Sequence, residues 1–182
     1  MVTRWIVALA LCVAPTVALA QPREAAPLRA RNVVAWQPLS LVTGYVDLEY
    51  ERAFGRSVSV YAAPGAIFYR GRPLNGPEST GVYGWSLDVG GRWFPRHDAP
   101  AGVFTDASLG VFTSSLDETG ADRVRGLGFR GMLLGGYTLL AWNHLAISLG
   151  LGVQLRAFRS EDAAEYAVKV YPALRVAVGF AL

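Results

Sequence analysis

From Asn32 to the last residue, large apolar side chains recur at every second position, not every third or fourth. Tyr166–Leu182 shows this best. One face carries Tyr166, Val168, Val170, Pro172, Leu174, Val176, Val178, Phe180 and Leu182, and the other Ala167, Lys169, Tyr171, Ala173, Arg175, Ala177, Gly179 and Ala181. A period of two marks a strand with two unlike faces, whereas a helix would scatter Lys169 and Arg175 among the aliphatics. Pro172 lacks a ladder donor and is out of place in a central strand. His144–Phe158 alternates likewise, with Leu145, Ile147, Leu149, Leu151, Val153 and Leu155 on one side and His144, Ser148, Gln154 and Arg156 on the other. The same pattern predicts strands near Gly126–Ala141, Ala101–Thr113, Thr80–Phe94, Ser57–Tyr69, Thr43–Ala53 and Asn32–Pro38, eight in all.

The connections fall into two sets. Phe54–Arg56, Pro95–Pro100 and Trp142–Asn143 are short; Arg70–Ser79, Ser114–Arg125 and Arg159–Glu165 are longer and polar. Alternating short and long connections suit an up-and-down barrel in a membrane, with short turns on the periplasmic side and long loops outside. An even strand count brings both termini to the turn side. The expected fold class is therefore all-β, an antiparallel up-and-down barrel of about eight strands that spans a membrane.

Alternation alone also fits a soluble barrel with its apolar residues inside. Three features favour lipid on the outside. The less apolar face is rich in Gly, Ala and Ser, as a narrow barrel interior requires. Its charges balance, with Asp47, Glu49, Glu51, Asp88 and Asp106 against Arg92, Arg130, Arg156, Lys169 and Arg175. Confined charges need partners, so these ten are expected to form a salt-bridged plug across the lumen. Finally, Tyr83, Trp93, Trp142, Tyr166 and Phe180 fall near strand ends, where membrane barrels carry aromatic girdles. A helical hairpin through Met132–Leu155 is the competing membrane reading. Gly135, Gly136, Gly150 and Gly152 count against it, as does alternation that continues past both ends.

Residues 1–20 read as a cleaved signal peptide: Arg4, a short apolar run from Trp5 to Val13, and the small-x-small site Ala18-Leu19-Ala20. Residues 21–31 form a Pro/Ala/Arg lead-in expected in the periplasm, ahead of a barrel over 32–182. Cleavage removes Cys12, the single cysteine, so no disulfide is expected. Charge is +3 over the whole chain and shows no basic run, which excludes a nucleic-acid footprint. Hydrophobic residues make up 52% and charged ones 17%, against roughly 25% charged in ordinary soluble domains.

Candidate chemistry is sparse. Gly126-Leu127-Gly128-Phe129-Arg130-Gly131 matches GxGxxG literally, but a nucleotide site needs those glycines to open a helix after a strand, and here a strand pattern continues. His97 lies in a predicted turn, and His144 begins a strand at the expected periplasmic end. No His/Cys cluster suggests a metal, and no cofactor or catalytic residue is expected. The run Val46-Asp47-Leu48-Glu49-Tyr50-Glu51-Arg52, its following short turn and the apolar last strand resemble a family of small bacterial outer-membrane barrels of unknown function. The architecture is similar to eight-stranded barrels of the outer-membrane protein A and X type. Those barrels usually end on an aromatic residue, whereas here Ala181 and Leu182 follow Phe180. The resemblance implies insertion by the barrel-assembly machinery, contact with outer-membrane lipid including lipopolysaccharide, and no established activity. The expected role is non-enzymatic, structural or surface-interacting, with any extracellular ligand met by the loops. A narrow solute channel and a lipid-modifying enzyme are the alternatives.

Overall fold

The computed structural model describes residues 30–71, 80–96, 99–117, 124–142, 144–160 and 167–182. The leader, most of the lead-in, the tips of the three long loops, His97 and Tyr166 lie outside that range. Eight antiparallel strands close into one barrel in sequence order. They are β1 (Asn32–Trp36), β2 (Tyr45–Phe54), β3 (Val58–Gly71), β4 (Thr80–Trp93), β5 (Gly102–Asp117), β6 (Val124–Ala141), β7 (Leu145–Ser160) and β8 (Ala167–Ala181). Met132–Leu155, weighed above as a helical hairpin, is the end of β6 and most of β7. Among the described residues no helix is long and apolar enough to cross a membrane.

Closure is made where the termini meet. Leu182 accepts from the backbone amides of Arg31 and Asn32 and donates to the Asn32 carbonyl. β1 pairs with β2 on one side and β8 on the other, Trp36 standing opposite both Leu48 and Val178. Short turns share this end with the termini. The strands are longer than the alternation suggested at the other end, because β5 runs to Asp117 and β6 begins at Val124. Ladder hydrogen bonds satisfy those polar backbones without needing an apolar face, so composition alone misplaces the boundary. β1 is shorter than expected. It stops at Trp36, and Pro38–Thr43 forms a 3-10 turn, closed by Gly44 in the left-handed region (φ 71). Proline at the start of that turn has no ladder donor to offer, which favours leaving the sheet there. His144 lies in the turn before β7, not in the strand.

The two faces separate as the alternation requires. Leu149, Leu151, Leu133, Leu109, Val170 and Phe180 point outward and are 52%, 62%, 59%, 71%, 67% and 66% exposed, while Arg92, Arg175, Glu49 and Asp106 are enclosed. Inside, the turn end is sealed by apolar layers. Phe94 and Phe104 meet with ring centroids 6.0 Å apart beside Ala53 and Ala99, and Ala30, Val33, Ala35, Ala146, Ala177 and Ala181 fill the space under the closure seam. At the loop end Phe112 and Phe158 stack across β6, centroids 6.1 Å apart. Gly126 and Gly128 lie beneath these rings, and a Cβ at either would collide with them. The first two glycines of the GxGxxG match are thus the strand floor under an aromatic pair.

Candidate functional site

The polar interior is built by parity. β2 presents Asp47, Glu49 and Glu51 to the lumen at alternate positions, and like charges so close require cations from other strands. β4 supplies Arg92 and β8 supplies Arg175. Arg92 gives one nitrogen to each of three carboxylates: Nε to Asp106 (3.0 Å), Nη2 to Glu49 (2.7 Å) and Nη1 to Glu51. Arg175 binds the second oxygen of Glu49 and lies 3.4 Å from Asp106. Arg92 and Asp106 are also register partners on neighbouring strands, so their pairing needs no long reach. The planar fork of arginine suits this arrangement; a lysine ammonium also has three donors, but they radiate from one atom and not from three nitrogens spread over a rigid plane.

A second, smaller pair sits toward the loop end. Arg130 Nε is 2.9 Å from Asp88 Oδ1, its Nη2 also binds Asp88, and the same nitrogen is 3.1 Å from the Tyr45 hydroxyl. Tyr45 in turn meets Ser86. Tyr61 donates to Asp106 (3.0 Å), and its ring lies under both central arginines, 4.7 Å from Arg92 and 5.4 Å from Arg175. Ser59 donates to Glu51. Tyr45, Ser59, Tyr61 and Ser86 were not among the expected residues. Their inward parity was readable, since Tyr45 continues the Asp47–Glu51 row and Tyr61 stands opposite Glu51, but none of the four carries a charge that demands a partner.

Of the ten charges expected to pair, Glu49, Glu51, Asp106, Arg92 and Arg175 form one network and Asp88 with Arg130 another. Asp47, Arg156 and Lys169 depart from that expectation. Asp47 is 3% exposed, and its Oδ1 is the one buried side-chain oxygen or nitrogen among the described residues without a hydrogen-bond partner. Arg130, Arg156 and Lys169 stand side by side on β6, β7 and β8, with Arg156 and Lys169 exposed toward the loop end. Arg156 covers the Tyr171 ring at 5.7 Å and has no carboxylate within ion-pair distance among the described residues. The interior therefore divides into a closed, acid-rich layer and an open, cation-rich one. Charge balance over the set was legible in the sequence, but strand height decides which charges meet.

Glycines make room for the long side chains. A Cβ at Gly90 would stand 2.6 Å from the Tyr61 hydroxyl, and one at Gly110 would overlap the Asp88 carboxylate. Gly110→Val is expected to push Asp88 off Arg130 and to lower stability by about 1–3 kcal/mol, the range for overpacking. Denaturant unfolding of the barrel measures this, and an unchanged midpoint would rule out the close approach.

Aromatics on the outer face gather at two levels. Trp93 and Phe180 sit near the turn end, with Trp142 in the turn itself (φ 50), whereas Tyr83 lies toward the loop end beside Phe68. Trp36, Phe54 and Trp85 are exposed on the outer face as well. No metal-holding group of His, Cys, Asp or Glu occurs among the described residues. No known protein family, no curated protein and no solved structure matches this chain, so the resemblance of Val46–Arg52 to a barrel family rests on those residues and on the eight-stranded architecture.

Proposed function

We propose that the chain is an integral outer-membrane barrel, reached through a cleaved signal peptide, whose lumen is plugged by salt bridges and whose role is structural or surface-interacting rather than catalytic. The observation that carries this reading is the inverted burial: aliphatic and aromatic side chains face outward around the barrel while paired ions fill the centre. Water would penalise that outer surface, since soluble monomers rarely expose apolar patches beyond a few hundred Å². Hydrocarbon would not. The dimensions agree. Trp93 and Tyr83 are ten residues apart on β4, which is about 33 Å of strand at roughly 3.3 Å per residue. A tilt of about 40° reduces this to about 25 Å along the axis, the height expected of an apolar band.

Two measurements test the reading. Membrane-extracted protein is expected to migrate differently on a gel before and after boiling, because a closed barrel resists detergent until heated. Identical migration would contradict a folded membrane barrel. In planar bilayers the plug and the apolar layer around Phe94 and Phe104 predict no steady conductance; a stable open level would instead favour a narrow channel.

A further inference from the structure

β8 is far longer than its partner on the closure seam. Trp36 pairs with Val178 and β1 ends, yet β8 runs back to Ala167. Backbone direction follows from the last residues: Ala181 N–H donates to His144 on the β7 side, and Leu182 N–H donates to Asn32 on the β1 side. Pairing with β7 continues without a bulge from Phe180 to Ala167. Even-numbered residues of β8 therefore turn their backbone toward the side where β1 has ended. Pro172 is one of them, so its missing N–H removes no ladder bond, and the residue that looked misplaced in a central strand stands on an edge. The Pro38–Thr43 turn packs against β2 and β8 but is no strand, leaving a notch in the barrel wall.

Behind the notch lies a cavity of about 310 Å³. Its lining is of two kinds: Leu39 and Leu174 on the notch side, and Asp47, Gln154 and Arg156 toward the lumen. Asp47 Oδ1, buried, lacks a donor, and Arg156, exposed, lies over the Tyr171 ring with no carboxylate in ion-pair distance among the described residues. An unpaired sheet edge does not face hydrocarbon directly, because its amides and carbonyls need polar partners. An occupant entering from the membrane must therefore bring an ammonium for Asp47, an anionic oxygen for Arg156 and the strand edge, and an apolar chain that stays outside the wall.

We infer that the notch between β8 and the Pro38–Thr43 turn is a lateral entrance, through which the barrel binds one single-chain zwitterionic lipid with a phosphoethanolamine head. This rests on the membrane reading above. The ammonium binds Asp47, the phosphate binds Arg156, and the acyl chain leaves past Leu39 and Leu174. Pairs with Glu49, Asp106 and Asp88 hold Arg175 and Arg130 away from the ligand, which leaves Arg156 to supply the cation.

The test is native mass spectrometry of the full barrel, refolded in phosphatidylcholine vesicles, released into detergent and offered equimolar lysophosphatidylethanolamine and lysophosphatidylglycerol. One lysophosphatidylethanolamine per barrel is expected, preferred by about tenfold, as loss of a charged hydrogen bond implies. Asp47→Asn should abolish the preference, Arg156→Gln should weaken both lipids, and Ala173→Trp, which fills the cavity and keeps both charged groups, should remove binding. Equal retention of the two lipids, no retention, or retention unaffected by Ala173→Trp would overturn the inference. So would equally tight binding of free O-phosphoethanolamine, which needs no lateral entrance. A gel of the same samples separates the two failures: heat-dependent migration without lipid retention sinks only the binding site, while absence of heat-dependent migration sinks the membrane reading itself.

Discussion

Arg92→Ala is expected to destabilise the barrel more than any other single truncation of an interior charge. The guanidinium is 2% exposed and touches Glu49, Glu51 and Asp106. Without it, Glu49 and Asp106 keep Arg175 as their one cation, and Glu51 keeps only the Ser59 hydroxyl among the described residues. Removing one partner of a buried ion pair costs about 3–5 kcal/mol, because the remaining charge cannot recover its water. Arg92→Lys should recover part of this, since an ammonium keeps the charge but not the three-way fork. Arg130→Ala should cost less, as it strands only Asp88 in a part-buried setting. Urea unfolding in phosphatidylcholine vesicles, followed by the heat-sensitive gel shift, ranks the three variants. A midpoint for Arg92→Ala equal to that of the parent would mean that the ion network does not hold the barrel together.

Leu151→Arg should have the second largest effect, and its size depends on the solvent around the barrel. Leu151 is 62% exposed, stands midway along the outer face of β7, and is paired to Gly135 and Leu174. On a surface facing water such a change alters stability by only about 0.5 kcal/mol in either direction. Facing hydrocarbon near the midplane it costs about 2–4 kcal/mol. Refolding yield and unfolding midpoint in vesicles decide between the two, and an arginine tolerated there at no cost would place water, not lipid, against that face.

Much of the fold was legible before any coordinates. Each expected strand lies within a few residues of an observed one, and the inward or outward direction of residues such as Leu149, Leu151, Ser148 and Arg175 followed from parity. The errors have physical causes. β1 was expected to reach Pro38, yet Pro38 starts a turn that Gly44 closes, and Pro172, distant in sequence but across the seam, needs no partner there. Recognising this requires knowing that β8 stands beside β1. The site was half legible. Asp47, Glu49 and Glu51 advertise an inward acidic row, but pairing depends on height within the barrel. Two residues of equal parity can lie on the same face and never meet, as Lys169 and Glu51 illustrate. Tyr61 and Ser59 are hydrogen-bonding partners that carry no charge, and neither stands out in a search for ions.

The amino-acid sequence by itself determined the strand period, the face each side chain takes and the near-balance of interior charge, because these are set by the two-residue repeat of an extended backbone and by the residue at each position. Only the tertiary structure decided which ions touch, that Asp47 and Arg156 find no ion-pair partner among the described residues, and that the wall is notched beside Pro172. Those features depend on strand stagger and on which strand ends first at the seam, which are relations between distant segments that no local pattern encodes.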